Sequence, residues 1–177
     1  GGRVTLGVGL GALHGNWLAF EADEGRAVRA RKLDEVLDIY AGLMGGQPFS
    51  YTGEHFSASP VTELVPPPPV QPPHPPVWCV GLMLPGRSRQ RSLERAARWQ
   101  GVFPAVAGGS LENPGSHLTP VSLRELVGHI TTLRAADGQS MEGYDVVVEG
   151  DSHGEFGTVH PPVEQWADAG ATWWVES

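Results

Sequence analysis

Five of the twelve Lys and Arg residues fall within twelve consecutive positions: Arg87, Arg89, Arg91, Arg95 and Arg98. Glu94 is the one acid among them, in a chain whose formal net charge is −8. Guanidinium groups offer forked N–H donors that match the oxygens of phosphate or carboxylate. A basic cluster confined to one stretch of an acidic chain therefore points to a local anion rather than to a polyanion. It lies in "GLMLPGRSRQRSLERAARW", where an apolar run passes through a loop with Gly81 and Gly86 into a helical pattern. A loop of this kind exposes orphan amide N–H groups and the positive end of a helix dipole, a recurrent phosphate cradle. Gly81, Arg87, Arg91 and Ser92 are the candidate ligands, with Arg89 in reserve. Arg95 and Arg98 lie one turn further on and read as partners for acids on the helix surface.

Other residue types widen the chemistry. Gly7, Gly9 and Gly11 close an apolar run, "RVTLGVGLG", and leave room for a planar ring or a phosphate against the backbone. Trp78, Trp99, Trp173 and Trp174 either line an apolar pocket or belong to the core. Glu149 and Glu176 end apolar runs and either face a ligand or cap neighbouring loops, the second being the commoner use. His14 follows the glycine-rich run, within reach of a ligand bound there. The seven histidines show no His-x-x-x-His pair and the single cysteine, Cys79, sits in an apolar run, so no metal site is expected. No Gly-x-Ser-x-Gly elbow and no Walker motif is present.

The elements that must position these residues follow from periodicity. Near-continuous apolar runs at Arg3–Gly11, Val77–Gly81, Gly101–Ala107, Tyr144–Gly150 and 171–177 read as strands buried on both faces. Helices are expected over 26–44, stopped by Gly45-Gly46, over Arg91–Trp99, from Thr119-Pro120 onward, and over 161–169. In the third of these a capping box is expected from Ser122 to Glu125. "PFSYTGEHFSASPVTEL" reads as a hairpin turning at Thr52-Gly53, and "VPPPPVQPPHPPV" as polyproline II. Strands alternating with helices give an α/β fold with parallel strands. At 177 residues, 40% of them hydrophobic, the chain suits one globular domain. No apolar run reaches the ~18 residues of a membrane span, and no basic segment precedes an apolar leader. The expected setting is the cytoplasm, without nucleic-acid or membrane partners.

The ordered set "GRVTLGVGLG", "KLDEVLDIYAGLMGGQPFSYTGEHF", "PVQPPHPPVW", "ERAARWQGVFP", "DVVVEG" and "AGATWWVES" resembles the luciferase-like, flavin-dependent monooxygenase family. The resemblance implies a TIM (β/α)8 barrel that binds FMN, or in relatives the deazaflavin coenzyme F420, at the C-terminal ends of its strands. This chain then corresponds to about strands four to eight, a partial barrel without the first three βα units and the last helix. The flavin phosphate would sit by the Arg-rich loop, giving Gly9, Gly11, Gly81, Arg87, Arg91 and Ser92 as cofactor-binding residues and leaving the catalytic residues unassigned. The implied activity is oxygenation of a small organic substrate, with deazaflavin-dependent hydride transfer as the alternative. A non-catalytic partial barrel that binds a partner is a further reading. Two open strand edges lead to an expectation of a homodimer or other self-association. A proline-rich adaptor is the least favoured reading.

Overall fold

A carboxylate at the start of one strand accepts from two indoles, one on the adjacent strand and one two strands away. The computed structural model describes residues 2–11, 19, 22–45, 48–61, 67–108, 118–153 and 161–176. His14, Gly46 and the start of the proline-rich run lie outside the described residues. The chain divides into two compact units, Gly1–Pro76 and Val77–Ser177.

The second unit carries the parallel strands β4 (Val77–Met83), β5 (Gly101–Val106), β6 (Asp145–Gly150) and β7 (Trp173–Glu176). Helices α2 (Arg91–Arg98), α3 (Pro120–Ala136) and α4 (Val163–Asp168) link them in turn. The strands lie side by side in chain order, every pairing parallel. Right-handed crossovers between successive neighbours place all three helices on one face. Consistent with this, α2 packs on β4, β5 and α3, and α3 packs on α4. Such winding is that of a barrel; a doubly wound open sheet reverses direction and carries helices on both faces.

Alternation along the strands sorts the side chains. Val77, Cys79, Val102, Val146 and Val148 point toward the helices and meet Leu93, Leu123, Leu126 and Ile130, all buried. Gly81 shares this face: a Cβ there would lie 2.5 Å from Val102 Cγ2 and 2.9 Å from Leu93 Cδ2. The missing side chain is what lets α2 approach β4. On the opposite face, Trp78 Nε1 donates to Asp145 Oδ2 at 2.9 Å and Trp173 Nε1 donates to Asp145 Oδ1 at 2.8 Å. The two indole centroids are 5.5 Å apart, and Phe103 lies 5.9 Å from Trp78. In a flat sheet β4 and β7, three strand steps apart, would be separated by about 14 Å. Their side chains converge because the sheet curls, concave on the face away from the helices. Gly101 leaves space under this cluster, since a Cβ would meet Trp78 Cδ1 at 2.5 Å and the Asp145 carbonyl at 2.8 Å.

Local signals explain the element ends. Thr119 caps α3: its Oγ1 accepts from Ser122 N at 3.1 Å and Ser122 Oγ accepts from Thr119 N at 2.8 Å. The capping box is thus Thr119 with Ser122, not the expected Ser122 with Glu125, because the helix begins at Pro120 and Ser122 is its third residue.

The first unit contains β1 (Leu6–Val8), α1 (Arg26–Met44) and an antiparallel pair, β2 (Phe49–Thr52) with β3 (Ser57–Val61). The first strand is shorter than the expected 3–11 and is not buried on both faces, Gly7 being exposed. The hairpin does not turn at Thr52-Gly53; it has a four-residue loop, 53–56, closed by Gly53 N donating to Phe56 O at 2.8 Å. Glu35 of α1 shapes that loop, accepting from the amides of Glu54 (2.9 Å), His55 (3.1 Å) and Phe56 (2.8 Å). Burial raises the Glu35 pKa, and the amides of Phe56, His55 and Glu54 more than offset it, leaving the group below its ordinary 4.5. The proline-rich run is no continuous polyproline II helix: the chain bends over 70–75. Gln71 fastens it, accepting from Val4 N at 3.1 Å and donating to Val4 O at 3.0 Å.

Removing the carboxylate by Asp145→Ala leaves two indole N–H groups without their acceptor. Hydrogen bonds to a charged group contribute roughly 1.5–3 kcal/mol, so the midpoint of denaturant unfolding should fall by an equivalent of about 2 kcal/mol, with loss of near-ultraviolet tryptophan dichroism. An unchanged midpoint and spectrum would show that the sheet curls without this contact.

Candidate functional site

The loop after β4 is built from its own backbone outward. Arg87 N donates to Leu84 O at 3.2 Å, and Gly86 turns the chain at φ +74°, a conformation that favours glycine. Gln90, 6% exposed, fixes the turn. Its amide oxygen accepts from Leu84 N at 2.9 Å, and its amide nitrogen donates to Leu84 O at 2.7 Å and Arg87 O at 2.8 Å. Ser92 ties α2 to the strand: its Oγ accepts from Leu82 N at 3.0 Å and donates to Val80 O at 3.0 Å.

A cavity of about 300 Å³ lies beside this loop. Leu84, Gly86, Arg87 and Gln90 form one wall; Glu125, His129 and Thr132 of α3 form the other. Those three share one helix face by their four- and three-residue spacing, a signal present in the sequence. Arg87 and Arg91 are exposed, and among the described residues neither guanidinium has an ion-pair partner. Arg89, by contrast, lies 3.4 Å from Glu94 Oε1. Arg95 is buried, and both Arg95 and Arg98 are engaged.

The expected site residues therefore divide. Arg87 lines the cavity and Arg91 opens α2. Gly81 and Ser92 are committed to the β4–α2 contact, one by packing and one by hydrogen bonds that occupy its hydroxyl. Gly9 and Gly11 follow β1 in the first unit, exposed, Gly11 at φ +72° with open space where a Cβ would stand. Gln90, Glu125, His129 and Thr132 were not anticipated.

A second group of polar side chains sits at the C-terminal ends of β6 and β7. Glu176 Oε1 accepts from Ser152 N at 2.6 Å and from Ser152 Oγ at 3.0 Å, while Oε2 accepts from Trp174 Nε1 at 2.6 Å. These bonds, the Trp174 indole foremost and the Ser152 amide next, hold the Glu176 carboxyl at a pKa of about 2 against an ordinary 4.5. Of the two uses expected for Glu176, loop capping is the one observed. Glu149 lies on the concave face and is exposed. Trp78 and Trp173 belong to the carboxylate cluster, and Trp166 and Trp174 pack 6.4 Å apart on the helix side.

No protein-family model matches the sequence, and no curated protein matches it. The fold does have a solved counterpart, an F420-dependent secondary alcohol dehydrogenase in complex with an F420-acetone adduct. The TM-score is 0.62 at 12% identity, over 99% of this chain and 64% of that one. The chain thus spans under two thirds of the length of its structural counterpart, and at this identity the likeness is one of fold. That fold is a mixed α/β architecture with a curled, singly wound parallel sheet. Among the described residues no helix is long and apolar enough to cross a membrane.

Two outcomes follow. Gln90→Ala leaves the Leu84 amide without its side-chain acceptor, and should speed hydrogen exchange of Leu84 relative to the β5 amides while unfolding stability falls by about 1–3 kcal/mol. Because the folded pKa of Glu176 is depressed, its contribution is present above pH 4.5 and lost as pH falls toward 2. Glu176→Gln should therefore be less stable than the parent at pH 7, and the difference should close between pH 4.5 and pH 2. A constant difference across that window would mean the charge plays no part.

Proposed function

We propose that the chain is part of a (β/α)8 barrel oxidoreductase of the luciferase-like type that works with a deazaflavin or flavin cofactor, and that the Arg87 loop holds the cofactor's anionic end. The observation that carries this reading is the cavity at the C-terminal end of β4, with the Arg87 guanidinium in its wall and Arg91 exposed nearby in sequence, neither paired with an acid among the described residues. Barrels of this kind take ligands at that end of the strands. The residues fit a phosphoryl group: Arg87 offers forked donors and Gly86 leaves the loop backbone open. Arg91 lies at the first turn of α2, where helix N–H groups are unsatisfied.

The fold counterpart supports F420 over FMN as the partner, reversing the order that the sequence resemblance suggests, and hydride transfer over oxygenation. When bound, such a cofactor supplies a carbon or nitrogen centre that gives or accepts hydride. The chain's own part is to bind the anionic end, to order the loop through Gln90, and to keep its counter-charge local in an otherwise acidic protein. In this reading both units belong to one barrel domain, with a small organic substrate, a cytoplasmic setting and self-association of the chain. Catalytic residues are not assigned.

Equilibrium titration of the full chain with F420 and, separately, with FMN tests the reading. Saturable F420 binding, weakened at least tenfold (about 1.4 kcal/mol) in an Arg87→Ala/Arg91→Ala variant, is the expected result. Preferential FMN binding would return the oxygenase reading to first place. A folded chain that takes neither cofactor would overturn the proposal.

A further inference from the structure

The ends of β6 and β7 hold a second constellation, independent of the cofactor reading. Asp151 follows the last residue of β6, His153 lies two residues on, and Glu176 is the last residue of β7. One ligand-capable atom from each lies within 4.8 Å of the others. We infer that Asp151, His153 and Glu176 form a binding site for a first-row divalent cation, which bridges the loop after β6 to the end of β7.

One distance suits an ion directly. His153 Nδ1 and Glu176 Oε1 are 3.4 Å apart, and ligands about 2.1 Å from a tetrahedral ion are separated by about 3.4 Å. The other separations, up to 4.8 Å, exceed this spacing, so closure on an ion needs movements of up to about 1.4 Å. The side chain best placed to move is His153, 73% exposed, while Glu176 is held by Ser152 and Trp174. Asp151, 6% exposed, provides the fixed point, its Oδ1 accepting from His153 N at 2.9 Å.

The Ser152 amide and hydroxyl cap onto the Glu176 carboxylate, and His153 Nδ1 lies 3.3 Å from the same hydroxyl and 3.4 Å from the same carboxylate oxygen, which brings the imidazole to the carboxylate. Bonds such as those Glu176 accepts from Ser152 and Trp174 orient metal-ligating carboxylates. One imidazole with two carboxylates suits zinc, cobalt, manganese or iron(II) over calcium or magnesium. Sequence spacing concealed the set, because twenty-two residues separate His153 from Glu176.

Titration of the purified, chelator-treated full chain with Co2+, read by visible absorption, and with Zn2+, read by calorimetry, tests the inference. One equivalent of each should bind saturably, the cobalt spectrum showing nitrogen and oxygen ligation. His153→Ala, a change at an exposed position, should weaken binding tenfold or more, and Glu176→Gln should do the same. Far-ultraviolet dichroism establishes that each variant is folded. If Glu176→Gln loses its structure, His153→Ala and His153→Gln decide alone. No saturation by the folded parent up to about 1 mM, or equal affinity in the parent and the His153 variants, would overturn the proposal.

Discussion

The two bonds from Trp78 and Trp173 to the Asp145 carboxylate are the constraint on which the C-terminal sheet depends. A parallel sheet twists by itself, but twist alone does not bring side chains of its first and fourth strands into contact. Here one carboxylate on β6 takes both indoles, and the rings close over the concave face 5.5 Å apart. The geometry requires an absent side chain at Gly101 on β5, where a Cβ would strike both Trp78 and the Asp145 backbone. On the other face, Gly81 lets α2 settle on β4, and Gly150 makes the equivalent space beneath Trp174. Curl on one side and close helix packing on the other both depend on bulky side chains, aromatic or aliphatic, set opposite glycine.

That curvature decides what the strand ends can do. Successive strands wound in one direction all send their C-terminal ends to the same rim. The Arg87 loop after β4 and the Asp151–Glu176 group after β6 and β7 are both placed there. They carry opposite charge. The first concentrates arginines in a chain of net charge −8, so its attraction for an anion is short-ranged and local. The second concentrates carboxylates around an imidazole. Neither is assembled by proximity in sequence: the first needs α3 to bring His129 and Glu125 across from Gln90 and Arg87, and the second needs β6 and β7 to be neighbours.

Much of the scaffold was legible in the sequence for a simple reason. Helix α1 was expected over the residues where it is found, because apolar spacing and Gly45 mark both its body and its end. The strands at Val77, Gly101 and Asp145 were legible as apolar runs, but the burial on two sides expected of them is uneven on the concave face, where Val80 and Glu149 are exposed. Site detail was less so. The roles of Gly81 and Ser92 could not be read from the loop motif, since a glycine before a basic loop looks the same whether it makes room for a ligand or for Leu93. The hairpin turn was misplaced because Glu35, eighteen residues before Gly53, supplies the loop's acceptor. Asp145 went unnoticed since a carboxylate at a strand start has no local signature; its partners are indoles 67 and 28 residues away.

Placement along the strands gives these interactions a division of labour. Trp78 is the second residue of β4, and Asp145 and Trp173 are the first of β6 and β7, so the clamp grips the sheet at its N-terminal rim. Both candidate sites lie at the opposite rim, one strand length away. In singly wound α/β sheets the N-terminal rim serves stability and the C-terminal loops serve chemistry. Here that separation has a structural cause. With the curl held at one rim, Arg87, Arg91, His153 and Glu176 stand exposed at the other, and Asp151 is buried there. The loops still require ordering, and each obtains it from within: Gln90 through three bonds to its own loop, Ser152 through the Glu176 carboxylate. A change at either loop should therefore alter ligand binding and local order while the curl of the sheet is retained, and a change at Asp145 should loosen both sites together.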